Sequence, residues 1–183
     1  MNYPYQKAKG ITSYANRGMD LENDLNITNN YYINYDIAII NKKETPIKIV
    51  KVAFDINKKP IIKEAYFRKP STTDYNGIYK GKYIDFEAKE IQHNKRFPLH
   101  NINDHQIKHI NNIINHGGIC FLIVRFKNLN KAFLLKGEQL ITFIKEGKRK
   151  SIPLEYFEQF GYLIKESFRP RLDYLKIIDQ LYF

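Results

Sequence analysis

Cysteine is nearly absent from this chain of 183 residues: Cys120 stands alone, which excludes an intrachain disulfide framework and a cysteine-rich zinc site. Its apolar neighbours, Ile119 to Val124, make it a core residue. That run is also the longest apolar stretch, far too short to span a bilayer, and the opening MNYPYQK lacks the apolar core of a secretory signal. A soluble cytoplasmic protein without a membrane partner is expected. Two further absences narrow the chemistry, since there is no glycine-rich phosphate loop and no serine or cysteine in a nucleophile-elbow setting. Acidic residues are the minority charge, 19 against 30 Lys and Arg, leaving a formal +11. Such a surplus points to a polyanion, nucleic acid ahead of an anionic membrane surface. With 43% apolar and 14% aromatic residues the chain is no disordered basic tail, and its length suits one domain with a real core. Asn, Lys and Ile are frequent throughout, so a lysine taken singly carries no functional signal.

Residues 1–16 lack periodicity and are expected to form a flexible basic arm, with 17–183 a single domain. The segment from Arg17 to about Asn34 reads as a helix with Asp20 and Glu22 near its N-terminus. A short strand follows at Asp36 to Asn41. Pro46 to Asp55 and Pro60 to Phe67 are rich in β-branched and aromatic residues and predict a hairpin whose tip, Ile56-Asn57-Lys58-Lys59, is basic. Asn76-Gly77 is a turn signal before a strand from Lys82 to Lys89. A helix is expected from about Asp104 to His116, stopped by Gly117-Gly118, then strands at Ile119 to Phe126 and Ala132 to Leu135. Helices at Gly137 to Lys145, Pro153 to Phe160 and Leu172 to Tyr182 complete an α/β chain with a mixed sheet flanked by helices.

The stretch STTDYNGIYKGKYIDFEAKE, Ser71 to Glu90, carries the chemistry. Its second strand alternates Tyr83, Asp85, Glu87 and Lys89 with Ile84, Phe86 and Ala88, so the apolar face packs on the core and the carboxylates are expected at the opposite surface. Glu87 and Lys89 stand about 6.6 Å apart along a strand. Antiparallel folding would return Asp74 beside Glu87. A carboxylate pair suits Mg²⁺, a hard ion that binds through one or two carboxylates plus substrate phosphate, and Lys89 could orient a water or neutralise transition-state charge. An Asp followed by Glu-x-Lys on a strand is the PD-(D/E)XK nuclease arrangement, against which stands the plain alternative of a salt-bridged sheet face.

Glu146-Gly147-Lys148 also matches Glu-x-Lys, but without strand alternation, and is assigned to solvent. Thr72 reads equally as a turn hydroxyl and as an oxygen ligand on Asp74's side. Gln106, from the residues alone, is the capping-box partner of Asn103. His105 and His109 have i, i+4 spacing but no third ligand, and read as solvated or DNA-facing. Arg68-Lys69, Lys80, Lys82 and Lys95-Arg96 surround the stretch in sequence and could hold a phosphate backbone.

These residues resemble the RecU Holliday-junction resolvases of low-GC Gram-positive bacteria and their wall-less relatives. The resemblance is carried by Arg17-Gly18-Met19 with Leu21-Glu22, YFRKPSTTDYNG from Tyr66, YKGKYIDFEAKE from Tyr79, Phe97-Pro98-Leu99, Asp104-His105-Gln106, Gly118-Ile119-Cys120-Phe121 and the C-terminal PRLDYLKIIDQLYF. It covers nearly everything after Arg17. It implies a restriction-endonuclease-like mixed β-sheet flanked by helices with a protruding hairpin stalk at about 47–67, and a homodimeric, Mg²⁺-dependent crossover junction endodeoxyribonuclease, with Mn²⁺ as a substitute ion. The implied task is symmetric paired nicking of four-way DNA junctions in homologous recombination and repair, with RecA as a further partner. The implied metal ligands are Thr72, Asp74, Glu87 and Gln106, with Asp74, Glu87 and Lys89 catalytic; this displaces the capping role as the leading expectation for Gln106. Implied DNA contacts are Arg17 and the hairpin, whose tip carries Lys58 and Lys59, and Arg68, Lys80 and Lys82 join them as cations near the site. Competing expectations are a restriction-like or repair nuclease on duplex DNA, and a junction binder that regulates a recombinase without cutting.

Overall fold

A computed structural model describes residues 20–68 and 72–183. Expectations for the arm at 1–16 and for Arg17 lie outside these residues. In chain order the elements are α1 (Leu21–Asn34), β1 (Ile39–Lys42), β2 (Ile47–Phe54), β3 (Pro60–Phe67), β4 (Tyr75–Tyr79), β5 (Lys82–Ile91), β6 (Arg96–Pro98), α2 (Asp104–Asn115), β7 (Ile119–Phe126), β8 (Lys131–Lys136), α3 (Gly137–Glu146), β9 (Ser151–Pro153), α4 (Leu154–Phe160), β10 (Tyr162–Ile164) and α5 (Leu175–Tyr182). Six strands form one mixed sheet in the order β1-β4-β5-β7-β8-β10. Only β5 and β7 pair in parallel, joined through α2, and the other neighbours are antiparallel. The α/β class with a helix-flanked mixed sheet is therefore as expected.

The central strand β7 is buried along its whole length, because both faces of the sheet are covered. Its side chains divide by period two. Ile119, Phe121 and Ile123 join Leu21, Leu25, Ile84, Phe86, Tyr174 and Ile178 in one core, whereas Cys120, Leu122, Val124 and Phe126 join Ile110, Leu140 and Phe157 in the other. The first core lies under α1 and α5 and the second under α2 and α3. Cys120 is fully buried, and burial pushes its thiol up, out of the range of a reactive thiolate.

Helix α1 begins where the Asp20 carboxylate accepts a hydrogen bond from Asn23 N at 2.8 Å. Its buried face is half polar: Asp24 accepts from Arg125 Nη2 at 2.6 Å and Arg171 Nε at 3.1 Å, Thr28 Oγ1 accepts from Leu172 N at 3.0 Å, and Asn29 accepts from Tyr174 OH through Oδ1 while its Nδ2 has no hydrogen-bond partner among the described residues. Paired charges of this kind hold α1 against β7 without leaving an uncompensated ion.

The turn between β4 and β5 falls at Lys80-Gly81, both with positive φ (46° and 74°), not at Asn76-Gly77. Gly77 instead lies inside β4, where a Cβ would stand 1.9 Å from Ile39 O, so glycine is needed for the close approach of β1. Shifting the turn by four residues leaves the register Tyr75 to Phe86 and Asn76 to Asp85, which sets Asp74 opposite Glu87. Strands β2 and β3 form a separate two-stranded sheet with nearly every side chain exposed on both faces. The pairing of β6 with β9 and the edge strand β10 were not anticipated, since three-residue strands carry no periodicity.

Candidate active site

Along β5 the alternation holds, but the polar face is not a surface: Asp85 and Glu87 are both 0% exposed, because α2 lies across them. The same crossover that makes β5 and β7 parallel puts a helix over this face. Asp74, leaving the start of β4, accepts a hydrogen bond from Ala88 N through Oδ2 at 3.0 Å, which fixes its carboxylate against β5. Glu87 forms an ion pair with Lys89, yet both of its buried carboxylate oxygens lack a hydrogen bond of good geometry. Burial, and then the charge of Asp74, push the Glu87 carboxyl up to about 7, with Lys89 and Gln106 pulling the other way.

Gln106 is buried at the first turn of α2. It caps the helix, its Oε1 accepting from Asn103 N at 3.0 Å, and its side chain also lies beside Glu87. A carbonyl oxygen has two lone pairs, so the cap leaves one for another partner. The Thr72 hydroxyl accepts from Lys43 Nζ at 3.1 Å. Asp74, Glu87, Lys89 and Gln106 thus meet where the start of β4, the middle of β5 and the first turn of α2 converge, and Thr72 is tied through Lys43 to Asp85 on the same face of β5.

Sequence reasoning missed the group beside them. Lys43 follows β1 in an unremarkable Asn-Lys-Lys-Glu run, and its ammonium reaches Asp85 Oδ2 at 2.7 Å and Thr73 Oγ1 at 2.6 Å. Thr73 Oγ1, Tyr83 OH (3.0 Å) and His109 Nε2 (3.3 Å) complete the surroundings of Asp85. His109 therefore turns toward the sheet, contrary to the solvated or DNA-facing expectation. The only available signal was that Asp85 shares a strand face with Glu87.

The deficit at Glu87 suits a cation. Two buried carboxylate oxygens without a well-formed hydrogen bond, next to a second carboxylate and offset by Lys89 alone among the described charged groups in contact, form an incompletely compensated negative site. Among the described residues no group of three or more His, Cys, Asp and Glu side chains is arranged to hold a metal. A hard ion that keeps several waters and takes the rest of its oxygens from few carboxylates and substrate phosphate fits that donor set. A cavity of about 270 Å³ opens beside Asp74, Ala88 and Lys89, its wall carrying Asp20, Glu22 and Glu90. A phosphate entering past so many carboxylates needs accompanying positive charge.

The basic candidates are spread more widely. Lys58 and Lys59 are exposed at the β2–β3 tip, where Asp55 O accepts from Lys58 N at 3.0 Å and Asp55 Oδ1 accepts from Lys59 N at 2.7 Å. Arg68 is exposed at the foot of the same hairpin. Lys80 and Lys82 lie at the opposite end of β5 from Lys89, Lys82 about 16 Å along the strand from Glu87. Lys80 is held by Asp179 at 2.6 Å and lies over the rings of Tyr79 and Phe183, tying the turn to the C-terminus. No helix among the described residues is long and apolar enough to cross a membrane.

Comparison with known proteins adds an independent line. The family model described as Recombination protein U matches residues 16–180. The chain is 50% identical over 174 residues to the Holliday junction resolvase RecU of Geobacillus sp. (strain WCH70), covering 93% of this chain and 87% of that protein. It is 49% identical over 185 residues to the RecU of Geobacillus kaustophilus (strain HTA426), covering 100% and 92%, and 47% identical over 174 residues to that of Bacillus cereus (strain B4264), covering 93% and 87%. A match spanning nearly the whole chain, with relatives of about the same length, makes this protein a member of the RecU family.

Proposed function

We propose that this protein is a divalent-metal-dependent endonuclease that resolves four-way DNA junctions, cutting two opposed strands symmetrically during recombination and repair. The observation that carries the reading is Glu87: a fully buried carboxylate, opposite Asp74 and ion-paired with Lys89, whose two oxygens lack a hydrogen bond of good geometry. A plain salt-bridged sheet face would be solvated or fully paired. Relatives named Holliday junction resolvase supply the substrate class.

In this reading Thr72, Asp74, Glu87 and Gln106 hold Mg²⁺, with Mn²⁺ able to replace it. The ion, when bound, polarises a phosphoryl oxygen and lowers the pKa of water. Asp74 is aimed by Ala88 N and Glu87 by its strand position, so two carboxylates arrive already oriented. Lys89, which pairs with Glu87 in the metal-free protein, would with Glu87 engaged by the ion be free to face the scissile phosphate and offset the charge that builds as water attacks phosphorus and the leaving oxygen departs. The β2–β3 hairpin, exposed on both faces with Lys48, Lys51, Lys58, Lys59 and Lys63, acts as a stalk that contacts the junction.

One such site cuts one strand. Two cuts in a junction of pseudo-two-fold symmetry therefore call for a homodimer, with selectivity drawn from junction shape and flexibility. The resemblance also brings RecA as a partner and the cytoplasm as location. The test is to incubate the protein with labelled four-way junction and with linear duplex of the same sequence, in Mg²⁺ or in chelator. Paired nicks on the junction in Mg²⁺ alone are expected. Equal cutting of duplex, or tight junction binding with no cutting, would replace the reading.

A further inference from the structure

We propose that Lys43 is a positioning residue for the cation site, with Asp85 as its counter-ion, an inference that rests on the metal-site reading above. Lys43 grips the segment 72–74 twice. Its backbone N donates to Asp74 O at 2.8 Å, extending the β1–β4 ladder by one bond, and its ammonium donates to Thr72 Oγ1 at 3.1 Å and Thr73 Oγ1 at 2.6 Å. No regular strand restrains these three residues, since β4 begins only at Tyr75. The Lys43 side chain is thus what holds the Thr72 hydroxyl at a fixed place.

A hydroxyl oxygen has two lone pairs. Taking one from Lys43 leaves the other for a cation and selects the side on which it points. An ammonium so close to a metal site would by itself repel the ion, and Asp85 removes that objection. Its carboxylate, 0% exposed, receives Lys43 Nζ at 2.7 Å together with Thr73, Tyr83 and His109, so the charge of Lys43 is neutralised locally while its hydrogen bond to Thr72 is kept. The arrangement has the form of an outer partner that orients a ligand.

The test measures Mn²⁺ affinity of the full chain without DNA, by paramagnetic resonance, with thermal melting recorded in parallel. Lys43→Met is expected to weaken Mn²⁺ binding on the order of tenfold and to raise the Mn²⁺ needed for half-maximal cleavage, with junction affinity in chelator unchanged. Because Lys43→Met strands a buried carboxylate, the double variant Lys43→Met/Asp85→Asn separates orientation from charge balance. Positioning predicts that the double variant melts near the wild type yet still binds Mn²⁺ as weakly as Lys43→Met. Wild-type affinity in either variant overturns the proposal. Asp74→Asn run alongside locates the failure: if Asp74→Asn itself binds Mn²⁺ normally, the metal-site reading has fallen. If Asp74→Asn loses the ion and Lys43→Met keeps it, only the role of Lys43 has fallen.

Discussion

Asp85 and Glu87 stand two residues apart on one face of β5, equally buried, and the protein treats them in opposite ways. Asp85 receives Lys43, Thr73, Tyr83 and His109. Glu87 has the ammonium of Lys89 and the neighbourhood of Gln106, but also the charge of Asp74, and no donor that meets its oxygens squarely. A buried charge is tolerated when its partners are built in, so Asp85 is finished as folded. Glu87 is completed only when something positive arrives. Burial alone therefore does not separate a structural carboxylate from a functional one; the inventory of donors does.

The largest expected effect follows directly. Glu87→Gln or Asp74→Asn should abolish cleavage of a synthetic four-way junction while leaving its affinity in chelator nearly unchanged, measured by nicking and gel-shift assays. Normal cleavage by either variant would sink the metal site. The companion substitution acts on the fold: Asp85→Ala strands Lys43 and should lower unfolding free energy by about 3–5 kcal/mol, measured by denaturant titration. A loss under about 1 kcal/mol would mean that the two carboxylates do not differ as described.

A smaller effect is set by pH. In the metal-free protein the Glu87 carboxyl is pushed up to about 7 from an ordinary 4.5, so between these values the folded chain holds a proton that the unfolded chain has released. Stability from this group is full below about pH 4.5 and is lost as pH rises through 7, by an upper bound of about 3 kcal/mol. Glu87→Gln removes the titration. Melting temperatures of wild type and Glu87→Gln should therefore diverge between pH 4.5 and 7.5 in chelator, the variant becoming the more stable. Parallel curves across that window would break the contrast.

Much of this was legible beforehand because it rests on period two and on apolar runs. Ile119 to Phe126 could only be a buried strand, and the alternation from Tyr83 to Lys89 put Asp85, Glu87 and Lys89 on one face. That this face is covered was not legible, because only the β5-α2-β7 crossover brings Gln106 and His109 over it. Asn76-Gly77 misled for a related reason: glycine there serves the approach of β1 at Ile39, a contact distant in sequence that no local pattern reveals. Lys43 was invisible because a lysine after a four-residue strand looks like any other in this lysine-rich chain.

The smallest expected effect probes how finished Asp85 is. Tyr83 OH donates to Asp85 Oδ2 at 3.0 Å, and it is one of four partners. If Asp85 is satisfied several times over, Tyr83→Phe removes one bond and leaves the ion pair with Lys43 intact, so the cost should be only about 0.5–1.5 kcal/mol. Mn²⁺ affinity should not move, because Lys43 still holds Thr72. The variant thus separates the two carboxylates at the finest scale: a stability change without a metal change means that this bond serves the fold alone. A loss of Mn²⁺ affinity as large as that from Lys43→Met would show instead that Asp85 and Glu87 belong to one coupled network, with no division of labour between them.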